Sequence, residues 1–227
     1  MTTRLTKYTL LLLLVLLFSG EAVAQRILGA LSVGMNLTQV DGDNYYGFRK
    51  VGLNIGPQVI VPFGKKKIWS VSMELLYSQK GSHHSGEYDS TTYNLKMDYL
   101  EIPVMVHITD KKLISGGVGF SYGQLINYKE TQNSFYDSIY TYKTSLNNFD
   151  VSVLAEFQIR IWNRLWAGVR YQYSMVRLRE VEINEPGVYP KNPETRYQFN
   201  NVISIRLTWV FNQEVPGKVK KTSESQQ

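Results

Sequence analysis

Apolar and polar residues alternate one by one in eight separate segments of this chain, and that pattern leaves few folds open. Successive side chains of a strand point to opposite faces, so each segment reads as a ribbon with one apolar and one polar side. In residues 68–80, Trp69, Val71, Met73, Leu75 and Tyr77 share one face, against Ser70, Ser72, Glu74, Leu76 and Ser78. In residues 149–162, Phe149, Val151, Val153, Ala155 and Phe157 oppose Asp150, Ser152, Leu154, Glu156, Gln158 and Arg160. In residues 165–175, Leu165, Val169, Tyr171 and Tyr173 oppose Trp166, Gly168, Arg170 and Gln172; near the end, Ile203, Ile205, Leu207, Trp209 and Phe211 oppose Ser204, Arg206 and Thr208. Residues 26–38, 50–62, 95–108 and 113–127 carry weaker versions. In residues 95–108 the apolar face changes sides near Tyr99-Leu100, which predicts a β-bulge there. No segment shows a convincing helical period.

The connections alternate in length. Residues 63–67, 109–112 and 162–164 are short; residues 39–49, 81–94, 128–147 and 176–195 are long. Eight up-and-down strands with both ends on the short-turn side give this order, which is the layout of an outer-membrane barrel with short periplasmic turns and long external loops. The short turns hold Lys65, Lys66, Lys67, Lys111, Lys112 and Arg164, so one rim is basic.

The first 24 residues read as a cleaved secretory signal. Arg4 and Lys7 precede the apolar run 10–18, and Ala22-Val23-Ala24 supplies the small residues of a cleavage site. That run is too short to cross a bilayer as a helix, which takes about 20 residues. Removing Arg4, Lys7 and Glu21 lowers the net charge from +6 to +5. An exported chain has little use for a nucleic-acid partner, and the absence of cysteine excludes disulfides, thiolate zinc sites and cysteine catalysis. Residues 25–211 then form the barrel and residues 212–227 a basic, disordered periplasmic tail.

A soluble eight-stranded barrel hides its apolar faces, whereas a membrane barrel turns them outward. Three features favour the second. The polar faces carry Glu74, Glu101, Asp150, Glu156, Arg160, Arg170 and Arg206, charges that fit a narrow lumen when paired. Trp69, Tyr77, Tyr171, Tyr173, Trp209 and Phe211 sit toward the ends of the apolar faces, where interfacial girdles lie. A closed barrel also satisfies every backbone group, as lipid requires. The expected fold is all-β: an eight-stranded antiparallel up-and-down transmembrane β-barrel.

Several segments match a known family in kind. Gly52-Leu53-Asn54-Ile55-Gly56, Glu74-Leu75-Leu76-Tyr77-Ser78-Gln79-Lys80-Gly81 and Tyr99-Leu100-Glu101-Ile102-Pro103-Val104 resemble the PorT-like outer-membrane β-barrel family of Bacteroidetes-type bacteria. So does Gly168-Val169-Arg170-Tyr171 ahead of a long loop, and the resemblance spans about residues 25–211. It implies a small outer-membrane barrel, without known enzymatic activity in most members. The secretion and gliding role belongs to the name-giving member and does not transfer on resemblance alone. One departure is that many such barrels end at an aromatic residue, whereas Phe211 is followed here by residues 212–227.

Enzyme chemistry has little to work with. The only histidines are His83, His84 and His107. His83 and His84 fall in an expected external loop, where a polar loop tip is a better reading than a metal site with Glu87 or Asp89. His107 is expected in the lumen in a structural hydrogen bond. The glycines at 116, 117 and 119 lie within a strand and make room for packing rather than cradling phosphate. No catalytic residue, metal or cofactor is expected. The reading is a non-enzymatic, lumen-filled structural or interaction protein of the outer membrane, in contact with lipid and other envelope proteins. The alternatives are a small-solute channel and then a lipid-modifying enzyme. Tyr45, Tyr46, Tyr88, Tyr93, Tyr128, Tyr136, Tyr140, Tyr142 and Tyr189 lie in the long connections. They fit either binding loops or strands that continue beyond the membrane.

Overall fold

The computed structural model describes residues 27–43, 47–64, 66–85, 92–133, 140–142, 145–183 and 194–212. The signal segment 1–24 and the tail beyond Asn212 lie outside the described residues, as do Tyr45, Tyr46, Tyr88, Tyr136, Tyr189, Glu87 and Asp89. Eleven strands follow in chain order: β1 (Leu28–Asp41), β2 (Lys50–Phe63), β3 (Trp69–Glu74), β4 (Leu76–Ser85), β5 (Thr92–Asp110), β6 (Ile114–Asn133), β7 (Tyr140–Tyr142), β8 (Phe149–Trp162), β9 (Leu165–Ser174), β10 (Arg179–Ile183) and β11 (Glu194–Val210).

Eight antiparallel spans close into a ring. β3 and β4 together make one of them, between β2 and β5. The chain breaks between them at Leu75, and two prolines explain why. Leu75 N–H donates to the Pro57 carbonyl at 3.0 Å, but Pro57 has no N–H to return the bond. The flanking pairs Met73↔Val104 and Leu76↔Glu101 set Pro103 opposite Glu74, which weakens the ladder on the other side as well. The ring closes where β1 pairs β11, from Ala30↔Val210 to Asp41↔Phe199. Asn212 fastens this seam: its amide donates to the Ile27 carbonyl at 2.8 Å and accepts from Gly29 N–H at 3.1 Å.

The connection between β5 and β6 is a tight hairpin. Lys111 and Lys112 take positive φ values of 46° and 57°, and Leu113 N–H closes the turn on the Asp110 carbonyl at 2.9 Å. Mirror-image turns of this kind match the twist of paired strands, and here lysines occupy positions that glycine or asparagine usually fill.

The outer surface is apolar over the height of the spans. Val33, Met35, Leu53, Met73, Ile102, Val104, Val118, Phe157 and Leu207 are all exposed. The inward face is the polar one: Ser32, Asn36, Asn54, Ser78, Glu101, Asp150, Arg170 and Arg206 are buried. This inside-out arrangement is the surface of a barrel that meets lipid.

The register irregularity expected near Tyr99-Leu100 is present in the β5–β6 ladder, but it does not change the face of β5 as expected. β5 alternates without interruption: Tyr93, Leu95, Met97, Tyr99 and Glu101 face inward, and Leu100, Ile102 and Val104 face outward. The register does shift between Asp98 and Tyr99, but Asp98 pairs Asn127 and Tyr99 pairs Leu125, so the extra residue is Ile126 on β6. What changes at Tyr99-Leu100 is the surroundings. Above that level Val40, Tyr93, Leu95, Met97, Tyr99, Leu146 and Leu178 pack into a buried cluster inside the ring. Outside at the same level, Asp98 accepts from Tyr77 Oη at 3.0 Å, Gln79 at 3.2 Å and Asn127 at 3.1 Å. The barrel is inverted below and conventional above.

The long connections are shorter than the sequence pattern suggested, because the strands run on. β4 reaches Ser85, β6 reaches Asn133, and β10 pairs β11 from Arg179↔Gln198 to Ile183↔Glu194, with β7 added beside it. His83 and His84 therefore stand in a strand, paired with Asn94 and Tyr93, and not at a loop tip. Tyr93 is buried in the upper core, Tyr128 is exposed, and Tyr140 and Tyr142 belong to β7. For these the ribbon reading holds.

Candidate functional site in the barrel interior

The interior is layered. At mid-height, four charged side chains from four strands form a closed cycle: Glu74 of β3, Glu156 of β8, Arg170 of β9 and Arg206 of β11. Arg170 donates to Glu74 at 3.1 Å and to Glu156 at 3.3 Å. Arg206 donates to Glu156 at 3.4 Å and also to Glu74. All four residues are buried. Burying charge is favourable only when the geometry returns what desolvation removes, and here each guanidinium serves both carboxylates.

One layer higher, Lys80 meets Asp150 at 3.0 Å and Glu101 at 2.5 Å, and its ammonium lies 4.9 Å from the centre of the Tyr99 ring. Gln172 donates to Glu101 at 3.1 Å; Ser174 and Asn200 donate to Asp150 at 2.6 Å and 3.1 Å. Sequence reasoning missed Lys80. The signal was its parity, since Lys80 shares a face with Glu74 and Ser78. Arg179 closes the top, donating to Gln198 at 2.7 Å, Glu130 at 2.9 Å and Tyr93 at 2.8 Å.

Of the seven charges expected to share one lumenal network, six sit in these two layers. Arg160 does not join them. It lies near the short-turn end, its guanidinium 4.8 Å from the Trp166 ring centre. There the interior opens into a cavity of about 370 Å³, lined by Arg160, Trp166, Ser72, His107, Lys112 and others.

Ser72 and His107 meet in its wall, Oγ to Nε2, at 2.9 Å. Gly117 lies directly against the Nδ1 side of that ring, and any side chain at 117 would overlap it. A nucleophile and a base at this distance still need a group to orient the imidazole. The nearest acid by register is Glu156, opposite Gly117, but both its oxygens are held by Arg170 and Arg206. The pair is a hydrogen bond within the wall. Among the described residues no group of three or more histidines and acids converges on a metal-sized site.

The six aromatic residues lie on the outside in two groups. Trp69, Trp209 and Phe211 are exposed near the short turns, where Phe63 stacks on Trp69 at 6.5 Å. Tyr77, Tyr171 and Tyr173 lie toward the opposite end. Tyr77 bonds Asp98, and Tyr173 stacks on Phe199 at 6.3 Å. Trp69 through Tyr77 is nine residues of one strand path, about the 9–11 that a tilted span takes.

The family model for an outer membrane protein beta-barrel domain matches residues 24–178. The chain belongs to that family. It is an outer-membrane β-barrel, and its place is the cell outer membrane. The match is to the broad family and does not reach the narrower PorT-like resemblance. No curated protein matches this barrel in sequence. Among solved structures it is similar to Ail of Yersinia pestis in complex with the heparin analogue sucrose octasulfate, at 12% identity and a TM-score of 0.45, over 82% of this chain and 99% of that one. It is also similar to Neisserial surface protein A, at 9% identity and 0.47, over 81% and 97%. OprG of Pseudomonas aeruginosa follows at 14% identity and 0.39, over 82% and 95%.

Proposed function

We propose that this barrel is a non-enzymatic structural or interaction component of the outer membrane, with a filled lumen. Its short turns and both mature termini face the periplasm. Its strand extensions face outward and meet other envelope proteins, and its charged lumen is structural. The observation that carries the reading is the stacking of the Glu74–Arg170–Glu156–Arg206 cycle, the Lys80 layer and the apolar cluster around Leu95 and Met97, one above another in the same lumen. Eight strands leave room for side chains and little else. A secretion-associated role would follow from the PorT-like resemblance alone. The test is planar-bilayer conductance of the refolded barrel: the expected result is no steady current, and ohmic conductance would establish the small-solute channel instead. The Ser72–His107 contact is what a lipid-modifying enzyme would use. Ser72→Ala is expected to leave envelope lipid composition unchanged.

A further inference from the structure

We propose that the cavity at the short-turn end binds a phosphate group on the guanidinium of Arg160. Nε, Nη1 and Nη2 of Arg160 are all closed off from the surface, and no protein acceptor meets any of them. An unpaired guanidinium in a span is costly, and evolution usually supplies a carboxylate. None is at hand. Glu74, Glu156, Glu101 and Asp150 are engaged by Arg170, Arg206 and Lys80 in the layers above. Among the described residues the cavity wall contains no Asp or Glu, while Lys67 and Lys112 add two more cations to it.

The remaining wall suits a tetrahedral oxyanion. The guanidinium lies 4.8 Å from the Trp166 ring centre, and its planar fork of N–H donors, unmet by any protein acceptor, is the group that grips phosphate at two points. Ser115 accepts from Thr109 at 3.2 Å, which frees its own hydroxyl hydrogen to donate into the cavity. Gln158 and Ser70 offer further polar groups. Leu28, Ile60 and Val210 line another part of the wall, so the phosphate group of a lipid-like headgroup and free phosphate share the same anchor.

The test uses the full barrel in a non-ionic detergent, with inorganic phosphate and hexyl phosphate as probes, followed by titration calorimetry. Saturable binding of either probe is expected, at least tenfold weaker in Arg160→Met and a few-fold weaker in Lys112→Gln. Arg160→Lys, which keeps the charge but loses the fork, should fall between wild type and Arg160→Met. Heat-modifiable gel mobility confirms that each variant is folded. Tighter binding of hexyl phosphate points to a headgroup, and equal binding to the free ion. No saturable binding, or equal affinity in wild type and Arg160→Met, overturns the proposal. The inference does not depend on the filled-lumen reading, because conductance and binding are measured separately.

Discussion

The lower and upper halves of the barrel solve opposite problems with one continuous set of strands. Below Tyr99-Leu100 the outside is apolar and the inside holds bonded charge. Above it an apolar cluster around Leu95 and Met97 packs inside, beside the Arg179–Glu130 pair, and the outside carries Lys96 and Asp98. β5 crosses the boundary without changing its alternation. Apolar residues follow whichever side excludes water: lipid outside below, the packed interior above. A soluble-type cap is thus built on a membrane-type base, and the exchange of faces marks the membrane edge.

Five substitutions test that comparison, four in falling order of effect and one, Lys96→Val, as the control to Val104→Arg. Removing one partner of a buried ion cycle leaves the other charges uncompensated, so Glu74→Gln should lower unfolding stability by about 3–5 kcal/mol in a urea titration from lipid vesicles. A loss below about 1 kcal/mol would mean that the charged layer is not what holds the lower half. In the upper half, Leu95→Ala removes buried apolar volume and should cost about 2–5 kcal/mol. Hydrogen exchange should show that loss above Asp98 and leave the strands around Val104 protected; uniform loss would show the two halves to be one cooperative unit. On the outer face of β5, Val104→Arg places charge in the lipid band and should cost about 2–4 kcal/mol. The reciprocal Lys96→Val, on the same face above the boundary, should change stability by less than about 0.5 kcal/mol. Equal effects at 96 and 104 would erase the boundary. The smallest loss is at the boundary itself, where Tyr77→Phe removes the bond to Asp98 and should cost about 0.5–1.5 kcal/mol by the same titration, still above the Lys96→Val control.

Much of this architecture was legible from the chain. Parity alone put Glu74, Glu156, Arg170 and Arg206 on the inner faces and Trp69 and Trp209 on the outer ones. The alternation of connection lengths supplied the closed up-and-down order. Two features were read differently. The switch of apolar face at Tyr99-Leu100 looked like a bulge, because a bulge and a change of surroundings leave the same mark on an alternating pattern. His83 and His84 looked like loop residues, because a polar ribbon above the membrane lacks the apolar face that announces a strand.

The sequence by itself determined the eight spans and which of their side chains share a face, because a period of two is a local property of extended backbone. Only the tertiary structure decided which charges meet. Glu74 and Arg206 are 132 residues apart, and their strands are not neighbours in the ring. Their contact depends on the accumulated register of every ladder and on closure at the β1–β11 seam. The same accumulation left Arg160 one layer away from every available carboxylate. No single strand contains that information, since stagger around a closed barrel is a property of the whole circuit.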